Sequence, residues 1–245
     1  MRKHLSVLRL YAGSIVYKLL ALLAALAVVE LAGFRILKLD KAWSFGQGEG
    51  DTFLAACLFA AYVVLILICL CTGRKSNPFG YTLQRLQISE RSVFLWHTLV
   101  CVCAFLILWG VQILLAFGLA KGYAASEIYD GGPQGLMMAF YRSKILHSIL
   151  PLEDGMLWLR NLVYILAGGA GCAHLSLAIR QGEKVFSPSI IFILVMLTFP
   201  VSLGNEIIYY VFFMGIAAAF GFVALLHGIG NAHTGERRVE REQTE

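Results

Sequence analysis

Residues Val93 to Leu119 read VFLWHTLVCVCAFLILWGVQILLAFGL, and no Asp, Glu, Lys or Arg interrupts them. A hydrocarbon core of about 30 Å is crossed by about 20 residues rising 1.5 Å each. Lipid offers the backbone no hydrogen-bond partner, so such a run must satisfy its own N–H and C=O groups as a helix. Comparable runs extend from Leu19 to Leu37, Phe53 to Cys71, Met156 to Ile179 and Ile207 to Leu226. A sixth, Ile190 to Leu203, is shorter. Pro188 suits a first helical turn just ahead of it, and Pro200 removes a donor within it, so a broken or tilted span is expected.

The rest of the chain fits this reading. Of its 245 residues 59% are hydrophobic and 14% charged, where a soluble domain has about 25% charged residues, and the mean hydropathy is +0.74. The expected fold class is all-α: a polytopic membrane protein of about six transmembrane helices, with a cytoplasmic amphipathic helix and an exoplasmic interfacial helix. Residues 1–18 are expected to form an interfacial segment, 19–227 the six-helix domain and 228–245 a cytoplasmic tail. Arg2, Lys3 and Arg9 resemble a signal-peptide leader, and Ala25, Leu26 and Ala27 imitate a cleavage site. The apolar run exceeds a signal h-region, so an uncleaved first span is expected.

Short cytoplasmic segments retain Lys and Arg, which orients the spans. One set of loops and ends carries Arg2, Lys3, Arg9, Lys18, Arg74, Lys75, Arg85, Arg91, Arg180, Lys184, Arg237, Arg238 and Arg241. The other has only Arg35, Lys38, Lys41, Lys121, Arg142, Lys144 and Arg160. Both termini are therefore expected in the cytoplasm of a multi-pass cell-membrane protein. The net charge of +5 needs no nucleic acid, since anionic lipid headgroups account for it.

Three segments outside the spans are patterned. Leu5, Leu8, Ala12 and Ile15 recur at helical spacing ahead of the first span. Between the second and third, a turn-rich stretch with Gly73, Asn77, Pro78 and Gly80 precedes YTLQRLQISERSVF, Tyr81 to Phe94, where Phe79, Leu83 and Leu86 share a face. Beyond Gly131, Gly132 and Pro133, the residues Met137, Tyr141, Ile145 and Ile149 repeat every four, predicting a surface-lying helix before Pro151. The charge run ERRVEREQTE, Glu236 to Glu245, reads as a solvated tail.

Polar groups inside spans are the candidate functional residues, because lipid penalises them unless they face protein, water or a partner. Glu30 is the sharpest, with a transport-pathway role or an interhelical ion pair as its two readings. Gln112 and His174 fit hydrogen bonding between helices, and Asn205 and Glu206 fall at an exoplasmic turn. Gly168, Gly169 and Gly171, and likewise Gly215, Ala219 and Gly221, offer small faces for close helix packing. All six cysteines, Cys57, Cys69, Cys71, Cys101, Cys103 and Cys172, lie in spans. Residues two apart on a helix point to nearly opposite faces, so Cys69/Cys71 and Cys101/Cys103 read as packing residues rather than disulfides or redox pairs.

Catalytic signatures are absent: there is no G-x-S-x-G, H-E-x-x-H or paired C-x-x-C. TGRKS, Thr72 to Ser76, lacks the glycine a phosphate-binding loop requires at position 68, which is Ile68. No enzyme activity, metal or cofactor is expected on this chain.

With six spans, cytoplasmic ends and the run GYTLQRLQISERSVFLWHTLV from Gly80 to Val100, the chain resembles permease subunits of type-2 ATP-binding-cassette exporters. The short fifth span before an exoplasmic turn is also similar to that family. The resemblance implies a coupling helix formed by Tyr81, Leu83, Arg85, Leu86, Ile88, Glu90 and Arg91 that touches a separate ATPase. It further implies ATP and Mg on that ATPase, a second permease, the same or homologous, and an amphipathic, lipid-like or peptide substrate. The competing expectation is an ion-coupled carrier using Glu30, or a substrate-binding membrane module without such an ATPase.

Overall fold

The computed structural model describes residues 2–36, 49–72, 89–124, 143–151, 155–181, 187–199 and 207–242. These form seven helices: α1 (Arg2–Ile36), α2 (Glu49–Thr72), α3 (Glu90–Ala124), α4 (Lys144–Ile149), α5 (Gly155–Gln181), α6 (Ser187–Thr198) and α7 (Ile207–Glu242). No strand occurs among the described residues. Five of them, α1, α2, α3, α5 and α7, are long and apolar enough to cross a membrane. The chain is thus an all-α, multi-pass membrane protein. Large apolar side chains such as Val28, Leu114, Phe212 and Phe222 point outward, as a hydrocarbon solvent permits and water does not.

The helices alternate in direction. Tyr11 stacks on His97 at 4.6 Å between ring centroids and Gln112 bonds Glu30, so α1 and α3 run parallel. Phe53 packs over Gly33, which makes α2 the returning arm of a hairpin. Val102 faces Gly169 while Trp109 meets Trp158, so α5 runs against α3. Gly221 lies on Ala167 and His227 on His174, so α7 runs with α5. Gly228 faces Phe94 at the start of α3. The beginning of α1, the beginning of α3 and the later part of α7 therefore share one end of the bundle, called here the proximal end.

The return between α5 and α7 is made by α6. Its first turn, at Pro188, stands beside Gly171, and its last carbonyl, of Thr198, reaches Arg160 near the start of α5. At 12 residues it rises only about 18 Å, short of the bilayer core. The expected run to Leu203 ends instead at Thr198, because the residue before Pro200 is pushed away from helical backbone angles.

The centre of the bundle is α5. Ala167, Gly168, Gly169, Ala170, Gly171, Cys172 and Ala173 are all buried, and with no side chain beyond Cβ on most of them, neighbouring backbones can approach closely. A Cβ on Gly169 would stand 2.9 Å from the Val102 nitrogen, and one on Gly221 would stand 2.9 Å from the Ala167 Cα.

Four expected segments take on definite form. Residues 2–18 enter the first span as part of one helix: α1 is continuous from Arg2 to Ile36, and Val7, Tyr11, Ile15 and Leu19 are buried in the bundle. The tail from 228 continues α7 as a helix to Glu242. The helix before Pro151 is six residues long and Ile145, Leu146 and Ile149 are buried, so it is inserted among neighbouring helices rather than laid on a surface. Its predicted earlier half, Met137 and Tyr141, lies outside the described residues. Arg160, counted among the loop cations, is buried within α5.

Candidate functional site

Two buried polar centres lie towards the distal end of the bundle. The first joins two residues that the sequence singled out separately. Glu30 of α1 and Gln112 of α3 are both buried, and Gln112 Nε2 donates to Glu30 Oε1 at 2.7 Å. Gln112 is Glu30's partner; Arg35, five residues further along, is exposed. An interhelical ion pair, one of the two readings of Glu30, is not formed among the described residues. We expect Gln112→Leu, which strips the Glu30 carboxyl of its donor, to destabilise the bundle by about 1–3 kcal/mol, measured by thermal unfolding in detergent.

The second centre is built on Arg160, the largest of the fully buried side chains among the described residues. Its Nε and Nη2 donate to Asn161 Oδ1 at 3.2 and 2.9 Å. Nη2 also donates to the Ser148 carbonyl at 3.0 Å and Nη1 to the Thr198 carbonyl at 3.4 Å. The guanidinium carbon sits 4.6 Å from the centre of the Phe199 ring and 5.7 Å from that of Tyr210. Every partner is neutral. The charge is instead met by carbonyls at the C-terminal ends of α4 and α6, where the helix dipoles are negative, and by aromatic faces.

Neighbouring side chains complete this clamp. Asn161 Nδ2 donates to the Ser148 carbonyl at 2.9 Å, Trp109 Nε1 to that of Ile149 at 3.1 Å and Trp158 Nε1 to that of Pro151 at 2.6 Å. Ser148 Oγ donates to the Phe199 carbonyl at 3.0 Å. Two helices thus end inside the bundle because α3 and α5 supply donors for their terminal carbonyls, which would otherwise be orphaned. Arg160 stands four residues inside the run that begins at Met156, and that position is the signal by which the sequence reveals it. Counting it with loop cations conceals it.

The remaining predicted residues are scattered. His174 is buried and stacks with His227 of α7, their ring centroids 6.1 Å apart, nearer the proximal end. Glu90 and Arg91 are exposed on the first turn of α3. That turn is fixed by Ser89, whose Oγ accepts from the Ser92 N–H at 3.4 Å, a helix-start role suited to serine. Tyr81, Leu83, Arg85, Leu86 and Ile88, and also Asn205 and Glu206, lie outside the described residues.

The cysteines hold a feature that intrahelical spacing does not reveal. Cys69, Cys101 and Cys172, one each from α2, α3 and α5, are fully buried and belong to one core cluster. Cys71 and Cys103 point outward, as the helical period requires. Among the described residues no group of three or more His, Cys, Asp or Glu side chains could hold a metal ion.

The fold and these buried centres define a helical membrane protein whose polar groups are directed inward between spans. No protein-family model, curated protein or solved structure matches the chain.

Proposed function

We propose that this chain is the permease subunit of an ATP-driven exporter of the type-2 ATP-binding-cassette class. It would form part of a translocation pathway for an amphipathic, lipid-like or peptide substrate. The observation that carries the reading is the gathering, at the proximal end, of the start of α1, the later part of α7 and the exposed Glu90 and Arg91 of α3. This arrangement suits a membrane domain whose motor docks from one side. Arg9 and Lys18 also belong to that half, and the retention of cations on the cytoplasmic side supports reading it as the cytoplasmic face of the cell membrane. The ATPase, with its ATP and Mg, is a separate partner, and a second permease completes the pathway.

The test is affinity purification of the tagged chain from its native membranes in mild detergent. An ATPase is expected to co-purify, and the double reversal Glu90→Lys with Arg91→Glu is expected to weaken the association at least about tenfold, or 1.4 kcal/mol. Wild-type protein that brings down no ATPase ends this reading. The alternative of an ion-coupled carrier has one observation in its favour, the buried carboxyl of Glu30; under it Glu30→Gln abolishes ion-dependent uptake into vesicles.

A further inference from the structure

The Glu30–Gln112 pair leaves two oxygens over. One hydrogen bond joins Gln112 Nε2 to Glu30 Oε1 at 2.7 Å. Glu30 Oε2 and Gln112 Oε1 are both buried without a hydrogen-bond partner among the described residues. If the carboxyl is ionised, both are acceptors and neither can satisfy the other. A single proton on Oε2 can resolve both at once, since the acid hydroxyl becomes a donor and the amide oxygen of the same Gln112 side chain is an acceptor in want of one. A planar carboxyl and a planar amide joined through one such bond are built to close a second, reciprocal one. We infer that Glu30 carries a proton in the folded bundle, making the Glu30–Gln112 pair a proton-binding site inside the membrane domain.

The surroundings favour the neutral acid. The helices packed against α1 are α2 and α3. From α3 comes Gln112, which is neutral, and the titratable side chain buried on the facing helix α2 nearest its middle is the thiol of Cys57, neutral as well. On α1 itself the nearest cation in sequence, Arg35, is exposed. A carboxylate held by one amide hydrogen bond and faced by no cation among the described residues is a costly thing to bury, whereas its protonated form with two bonds is an ordinary buried polar pair. A hard cation is a poorer occupant, because one carboxyl and one amide supply fewer oxygens than its six or more ligands require. The inference holds whichever transport reading is correct, since it concerns the resting state of one side chain.

Infrared spectroscopy of the full chain in detergent at neutral pH tests it. The wild-type spectrum minus that of Glu30→Gln is expected to contain the C=O stretch of a protonated carboxylic acid, shifted in heavy water, and no ionised carboxylate bands. Glu30→Gln keeps both bonds, with its amide N–H donating where the acid hydroxyl did, so its melting temperature is expected to equal that of wild type. Glu30→Leu, which loses both bonds, is expected to melt lower. Carboxylate bands in the difference spectrum at neutral pH would overturn the proposal, as would a signal that follows Na⁺ concentration instead of pH. Should Glu30→Gln fail to fold, wild-type protein isotope-labelled at the glutamate side-chain carboxyl gives the same reading. One protonated carboxyl at neutral pH supports the site, and none refutes it.

Discussion

Arg160→Ala is expected to cost the folded protein about 3–5 kcal/mol, read as a large fall in melting temperature in detergent micelles. The substitution removes at one stroke the donors to the Ser148 carbonyl, the Thr198 carbonyl and Asn161 Oδ1. Each acceptor left unpaired away from water costs about 1–3 kcal/mol, although Asn161 still donates to the Ser148 carbonyl and softens the loss there. Arg160→Lys is expected to fall between wild type and Arg160→Ala. A lysine keeps the charge, but its single nitrogen cannot fork towards α4, α6 and Asn161 together. Exposed Arg35 supplies the control: Arg35→Ala should change stability by no more than about 0.5 kcal/mol. Equal melting of Arg160→Ala and wild type would show that α4 and α6 are held by something else.

Gly169→Ala should destabilise by about 1–3 kcal/mol, for a different reason. Its new Cβ would lie 2.9 Å from the nitrogen and 3.0 Å from the Cα of Val102. The obstacle is the backbone of α3, which cannot swing aside as a side chain can, so α3 and α5 must separate along their contact. Gly168→Ala should be milder, because the atom it meets most closely is the hydroxyl of Tyr62, at the end of a side chain. Gly215→Ala meets nothing within 4 Å and is expected to be neutral or stabilising by up to about 1 kcal/mol through helix propensity. Thermal unfolding of the three variants side by side separates backbone contact from propensity. If Gly169→Ala and Gly215→Ala behave alike, the close approach of α3 and α5 is wrong.

The two polar centres show how far one-dimensional reading extends. Glu30 and Gln112 were each conspicuous as polar residues in apolar runs, and the bundle pairs them across 82 positions of sequence. Nothing in the local pattern of either residue names the other. Arg160 was hidden by a different effect. Charge counting treats a cation near the end of a span as a loop residue, and only burial distinguishes a snorkelling side chain from one turned inward. The three thiols repeat the lesson, since Cys69, Cys101 and Cys172 look unremarkable within their own helices and join one buried cluster only when three helices converge.

The amino-acid sequence by itself determined that this chain lives in lipid and that it does so as helices. That follows from the length of its apolar runs, because a bilayer of set thickness and a backbone that must bond to itself leave no other solution. It also marked small faces at Gly168, Gly169 and Gly171 and at Gly215, Ala219 and Gly221 alike, and only packing made the first of them the centre of the bundle. Only the tertiary structure decided that α4 and α6 stop within the bundle, that α1 runs unbroken from its basic beginning, and that Arg160 closes the ends of two helices while Glu30 faces an amide. Those outcomes depend on which side chain meets which carbonyl across helices far apart in sequence, and hydrophobic periodicity carries no information about that pairing.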